Sequence, residues 1–353
     1  MPHLERLGVE FCFDESISRT LYQVLYRPGP LNTLKKSVYL LSDTLRRAMR
    51  APWAGPFDLV FLHREAALIG PAWMERQIAR SGVPMVFDFD DSIYRRSPAS
   101  VNGVFARLKF SGKTATICRL ADHVVVGNRV LEDYARKYCP RVTVIPTTVD
   151  TERFTRHDGG APKRAPVIGW TGSHTTVGYL DMLRPALQEL ARTHEFVFRV
   201  IGVDGFAIEG VNVVCAPWRP DTEVDDLSLI DIGVMPLPDD EWTRGKCALK
   251  VLQYMALGIP TVASPVGVNA DIINDGVNGF LAADRAQWVE RLSRLLESRE
   301  LRRETGLRGC STVSSWYTAR IQAPRLMEVF TSTLDARRSE GASAVVLTGA
   351  TGS

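Results

Sequence analysis

Cysteine is sparse and unpatterned in this chain. Cys12, Cys118, Cys139, Cys215, Cys247 and Cys310 are scattered over 353 positions with no CxxC or CxxH spacing. That excludes a zinc-ribbon framework or a disulfide-stapled scaffold and leaves buried thiols of a reducing compartment as the expectation. No uninterrupted apolar run has the length of a bilayer span. The opening MPHLERLGVE has none of the apolar core of a secretory leader. An excess of one charge is missing too: 43 basic against 40 acidic residues leave a formal +3, which argues against nucleic acid as a partner. No segment repeats at a solenoid period. The expected place of work is the cytoplasm, or the cytosolic face of a membrane as a peripheral protein.

What the chain does have is alternation. Short β-branched runs lie at 9–13, 57–62, 84–89, 122–126 and 142–145, then at 166–170, 196–202, 211–214, 231–236 and 260–264. Helical patterns such as 176–192 and 248–257 separate them. Strand and helix in turn predict an α/β protein with two doubly wound, parallel, Rossmann-like domains. Hydrophobic residues at 45% suffice for two cores. The Pro-, Gly- and charge-rich stretch between the two sets reads as a linker. The expected division is 1–146, linker 147–165, a second domain 166–315, a C-terminal helix 316–337 that crosses back, and a small, polar, disordered tail 338–353.

Residues 242–281, WTRGKCALKVLQYMALGIPTVASPVGVNADIINDGVNGFL, carry the most chemistry. A loop with Gly245 leads into a helix expected to start near Cys247. A helix N-terminus offers free N–H groups and a positive dipole end to a phosphate. Lys246 and Lys250, four apart, are expected on one face of its first turn, where a diphosphate takes both backbone and ammonium contacts. Two solvated lysines on a surface helix are the plain alternative. A second loop, Gly172-Ser173-His174-Thr175-Thr176, follows a strand and opens a helix. Gly172 allows close backbone approach and Ser173 offers a hydroxyl; an ordinary N-cap would use the same residues.

The 242–281 segment resembles the donor-binding signature of retaining GT-B glycosyltransferases of the family 4 kind. That signature runs Glu, seven residues, Glu-Ala-Met-Ala, then x-Gly-x-Pro-Val-Val-Ala and a later Asp-Gly-x-Asn-Gly-Phe-Leu. Here it reads QYMALGIPTVA from Gln253 to Ala263 and ends DGVNGFL. Two departures stand out. The family's sugar-contacting glutamate falls at Gly245 and its ribose-holding glutamate at Gln253. Gln253 keeps an amide for a ribose hydroxyl. The family's cations after the first donor-domain strand are missing as well, so Lys250, helped by Lys246 or Arg244, is expected to replace them. The resemblance implies a nucleoside diphosphate sugar as donor, a hydroxyl acceptor that can be lipid-linked, retention of configuration, a role in glycan or cell-envelope polysaccharide synthesis, and no metal or other cofactor.

Other residues divide between readings. Trp218 follows a strand in a loop that borders the nucleobase in related enzymes; it either stacks on a base or fills the core. Phe87-Asp88-Phe89-Asp90-Asp91 ends another strand. A metal site there is set aside, because dipoles and cations can neutralise the leaving diphosphate. The resemblance puts Asp90 where the family's histidine faces the donor sugar, so Asp90 and Lys250 are the catalytic candidates. Asp91 is assigned to the acceptor side, and helix capping is the alternative for both aspartates. Arg64, at the end of its strand, either meets an anionic acceptor or pairs with Glu65. Basic residues at Arg46, Arg47 and Arg50, and at Arg95, Arg96, Arg107, Lys109 and Lys113, suit anionic lipid or a solvated face.

The resemblance also implies a strand, Gly-turn and helix ahead of residue 1, so the N-terminal sheet is expected to lack its first strand. Two rivals remain at this stage: a nucleotide-sugar epimerase of the same fold, and a pseudo-glycosyltransferase that binds nucleotide sugar or a partner without turnover.

Overall fold

A computed structural model describes residues 2–14, 18, 20–21, 24, 29–50, 57–66, 70–95, 112–155 and 165–346. The chain divides into two compact units, one of residues 1–145 with 323–353, the other of residues 146–322.

In the first unit four parallel strands lie in the order β1-β2-β3-β4: Val60–His63, Met85–Phe89, His123–Val126 and Val142–Val144. Such parallel pairing hides both faces, and β3 is buried along its whole length. Residues 9–13 do not form the expected strand. They lie outside the ladder, and Val9 and Phe11 pack beside Leu4, Val86, Val125, Ala323, Val329 and Phe330. Their β-branched character serves side-chain burial, not a ladder. The last helix, Ala319–Val346, runs well past the expected end at 337. Its later sequence, RRSEGASAVV, holds several good helix formers and no proline, so nothing stops it.

The second unit carries six parallel strands in the order β10-β9-β8-β5-β6-β7. These are β5 Val167–Thr171, β6 Val197–Ile201, β7 Val213–Ala216, β8 Ile232–Met235, β9 Thr261–Ala263 and β10 Phe280–Leu281. Counted within the unit, the order is 6-5-4-1-2-3, that of a dinucleotide-binding Rossmann sheet. One core packs Trp170, Phe198, Val234 and Val262 against Leu187 and Leu292; the other packs Met235 and Ala263 against Val251, Tyr254 and Met255. Part of the expected linker belongs to this unit: Val149 bridges Thr318, and Phe154 is buried in the second core.

Glycines set how closely the helix Leu249–Ala256 approaches. Gly169 and Gly233 face each other on β5 and β8. A Cβ at Gly233 would lie 2.4 Å from the Tyr254 ring, and one at Gly169 would lie 2.3 Å from Ile230. Tyr254, fully buried, then reaches across to accept a hydrogen bond from the Thr171 N–H at 3.0 Å. The DGVNGFL motif builds a turn: Asn278 Oδ1 accepts from Asn274 N–H at 2.8 Å and its amide donates to Ile272 O at 3.0 Å, while Asp275 accepts from Leu281 N–H at 2.8 Å.

Candidate active site

The strand order of the second unit reverses between β5 and β8, and in open α/β sheets the ligand crevice lies outside the carboxyl ends of the strands at such a point. Gly172 directly follows β5, and its N–H donates to Ile201 O at 3.0 Å. Gly202, following β6 with φ +95°, lets the Gly172 carbonyl press so close that any Cβ there would collide with it. Across the reversal, β8 leads through the turn Thr243–Gly245 into the helix Leu249–Ala256. The loop after β9 closes on that turn, where Gly267 with φ +54° meets the Arg244 carbonyl. Four strand-end loops thus meet in this region.

Lys250 occupies its centre. The ammonium lies 4.3 Å from the Trp170 ring centroid, a cation–π contact. A Cβ on Gly172 would come within 2.8 Å of Lys250 Nζ and 2.3 Å of the Trp170 ring, so the absent side chain leaves the backbone open to both. Desolvation, then the nearby Lys246 charge, pulls the Lys250 pKa from 10.5 to about 7. Its helix, Leu249–Ala256, has no side-chain cap, and the N-cap, Ala248, is left-handed at φ 54°. First-turn N–H groups and a desolvated ammonium therefore sit together without a built-in anion.

Lys246 is not on the helix as expected: it is the extended residue that closes the Thr243–Gly245 turn, with Nζ 5.8 Å from the Trp242 ring centroid. Arg244 is taken by Asp239 at 2.6 and 3.0 Å. Ser173 follows Gly172 and shares its hydroxyl with Thr175 at 2.8 Å.

Glu223 was not legible as a site residue, since it stands in no motif. It gathers three donors: Trp218 Nε1 at 3.1 Å, Gln253 Nε2 at 3.2 Å and Arg153 Nη2 at 2.9 Å. Its side chain keeps only 14% of its surface exposed. A carboxylate from another element thus stands next to Gln253, the position at which the motif lacks one. Trp218 is 42% exposed, which excludes core filling.

In the first unit, His63 and Asp88 are register partners at the ends of β1 and β2, with Nδ1 and Oδ2 2.6 Å apart. That hydrogen bond raises the His63 pKa. Arg64 is left-handed at φ 59°, and its guanidinium donates to Asp90 at 3.0 and 2.8 Å and to Asp91 at 2.9 Å. Both aspartates therefore serve an ion-pair cluster, and the Arg64 partners are these and not Glu65. Lys113 is buried against Glu75 at 3.5 Å, so it belongs to no surface patch. Arg96, Arg107 and Lys109 lie outside the described residues. All six cysteines are free; Cys12 is exposed and Cys215 and Cys310 are half-buried, against the expectation of uniformly buried thiols. Among the described residues no His, Cys, Asp and Glu side chains form a group of three or more able to hold a metal ion.

Two Rossmann-like units, with the family signature spread along the donor crevice of the second, define a GT-B glycosyltransferase. Family models match both halves: Glycosyltransferase Family 4 over residues 5–153 and Glycosyl transferases group 1 over residues 165–298. The chain belongs to this group of glycosyltransferases, of the family 4 kind. Similar solved structures include the sucrose-phosphate synthase of Thermosynechococcus elongatus, with TM-score 0.66, 15% identity, and coverage of 84% of this chain and 78% of that one. A glycosyltransferase of Rickettsia africae matches with TM-score 0.59 and 13% identity over 94% of this chain and 87% of that one. Anabaena HepE, solved with UDP-glucose, matches with TM-score 0.60 and 14% identity over 86% of this chain and 84% of that one. Among curated proteins, a sequence search finds no match.

Proposed function

We propose that this chain transfers a glycosyl group from a nucleoside diphosphate sugar to an acceptor hydroxyl, with retention of configuration, in glycan or polysaccharide synthesis. The observation that carries the reading is Lys250: a desolvated ammonium held by Trp170 over the bare backbone of Gly172, at an uncapped helix N-terminus. The bond from the anomeric carbon to the β-phosphate oxygen breaks, a bond from that carbon to the acceptor oxygen forms, and the hydroxyl proton passes to the departing diphosphate. Charge gathers on the departing diphosphate. Lys250, the Gly172–Ser173 loop and the helix N–H groups meet that charge as fixed dipoles and a cation, which is where electrostatic catalysis acts. In this reading the diphosphate needs no metal. Glu223, steadied by Gln253, Trp218 and Arg153, accepts hydrogen bonds from the ribose, and the exposed Trp218 face takes the base. Asp90 and Asp91, held by Arg64, contact sugar or acceptor.

HepE was solved with UDP-glucose, so uridine diphosphate sugars are the first donors to try. The full chain is incubated with them and with polyprenyl-linked or free glycan acceptors, and glycosylated product and nucleoside diphosphate are measured with and without a chelator. Acceptor-dependent product carrying the donor's anomeric configuration, undiminished by chelation, is expected. Loss of turnover on chelation, restored by manganese or magnesium, would return Asp88, Asp90 and Asp91 to consideration as ligands. Release of free sugar and nucleotide without an acceptor would favour an epimerase.

A further inference from the structure

The helix Pro30–Arg50 is amphipathic, and it packs with its polar side inward. Lys36 and Asp43 are buried, at 7% and 6% exposure, and Asp43 accepts a hydrogen bond from Ser18 N–H at 2.9 Å. The apolar residues look outward: Leu31, Leu34, Val38, Leu41 and Leu45 are 65%, 62%, 56%, 61% and 52% exposed. Their 3-4-3-4 spacing aligns them in one stripe, about 80° wide and about 21 Å long at 1.5 Å and 100° per residue. Exposed apolar residues scattered singly mean little, but a contiguous row marks a surface with a partner.

Charge selects the partner. The one carboxylate of the helix, Asp43, is buried with Lys36 on the inward side, so the charge that borders the stripe is cationic, from Lys35 and Arg46. A second copy docking through the same stripe in a two-fold interface would set that charge against its like. An anionic surface is complementary to it. Lys35, which is exposed, and Arg46, which ion-pairs with Asp43 at 3.4 Å, fall along one margin of the stripe by helical spacing. There they can meet headgroups while the leucines enter the acyl boundary. Among the described residues no helix is long and apolar enough to cross a membrane.

We propose that the helix Pro30–Arg50 docks this glycosyltransferase on an anionic lipid bilayer, lying in the interface plane with Leu31, Leu34, Val38, Leu41 and Leu45 immersed. The proposal is independent of the donor assignment. The test is flotation of the full chain with vesicles of phosphatidylcholine alone and of phosphatidylcholine mixed with phosphatidylglycerol, at low and high salt. The wild type should float with the anionic vesicles and detach as salt rises. The combined variant Leu34→Ser, Val38→Ser, Leu41→Ser should lower the partition coefficient by about tenfold for each side chain replaced. Its melting temperature and its donor turnover without vesicles should stay unchanged. Equal flotation of variant and wild type, equal binding to neutral vesicles, or no vesicle binding at all would overturn the proposal. So would a wild-type dimer in solution that the triple variant dissolves, which would give the stripe to a second copy.

Discussion

Lys250 is held at a cost to the free protein that the ligand is expected to offset. Its pKa falls from 10.5 to about 7 through desolvation and the Lys246 charge. Between those values the unfolded chain binds a proton that the folded chain does not, so stability rises with pH across that window. The opposition to folding is therefore fully present below about pH 7 and relieved as pH climbs toward 10.5. Lys250→Met should raise the melting temperature, most at and below neutral pH, with the gain shrinking as the solution becomes alkaline. A gain that stays constant with pH would mean that Lys250 is not desolvated in the free protein. Glu223 makes a different demand. Trp218, Gln253 and Arg153 surround it, and in the proposed reading it serves the nucleoside and not the phosphates. Glu223→Gln should weaken a nucleoside diphosphate by about 1.5–3 kcal/mol, the range for a hydrogen bond to a charged group. Inorganic pyrophosphate, competing for the same site, should bind as before. Equal loss for both ligands would assign Glu223 a structural role.

At the scale of elements, the donor crevice depends on one helix lying unusually close to the sheet. Gly233 makes that possible, since a Cβ there would stand 2.4 Å from a tyrosine ring with no room to retreat. Gly233→Ala should cost about 1–3 kcal/mol in chemical denaturation, the range for overpacking a close-packed core. Donor affinity should fall further, because Tyr254 also anchors Thr171 ahead of the Gly172–Ser173 loop. This organisation was largely legible in the sequence. β-branched runs parted by amphipathic stretches gave the parallel sheets, and the GIP turn followed by DGVNGFL located the donor helix and the turn before β10. Of the features that escaped, three have a clear physical reason. Residues 9–13 have strand-like composition, but Val9 and Phe11 are used for packing, and composition cannot tell a ladder from a packed segment outside one. Spacing alone places Lys246 and Lys250 on one helix face, whereas the turn at Thr243–Gly245 delays the helix until Leu249. Glu223 comes from a separate helix 30 residues before Gln253, so only the fold brings the two side chains together.

At the scale of the molecule, the two non-glycine residues with left-handed backbone among those described are Arg64 and Ala248. Each stands in the candidate site of its own unit, Arg64 carrying the aspartate cluster and Ala248 opening the donor helix. Such strain persists only where the surrounding structure enforces it, and it gathers at functional sites. The loss of both motif glutamates is thus accompanied by a local rebuilding, with Glu223 beside Gln253 and Lys250 over Gly172. That pattern fits a working donor site better than decay. The most direct test is calorimetric titration of the full wild-type chain and of Lys250→Ala with uridine diphosphate. Wild type should bind and, above neutral pH, take up a proton as the diphosphate recharges Lys250. Lys250→Ala should bind more weakly by about 1.5–3 kcal/mol and lose that proton uptake. Unchanged affinity and unchanged proton linkage in the variant would contradict the donor site described here.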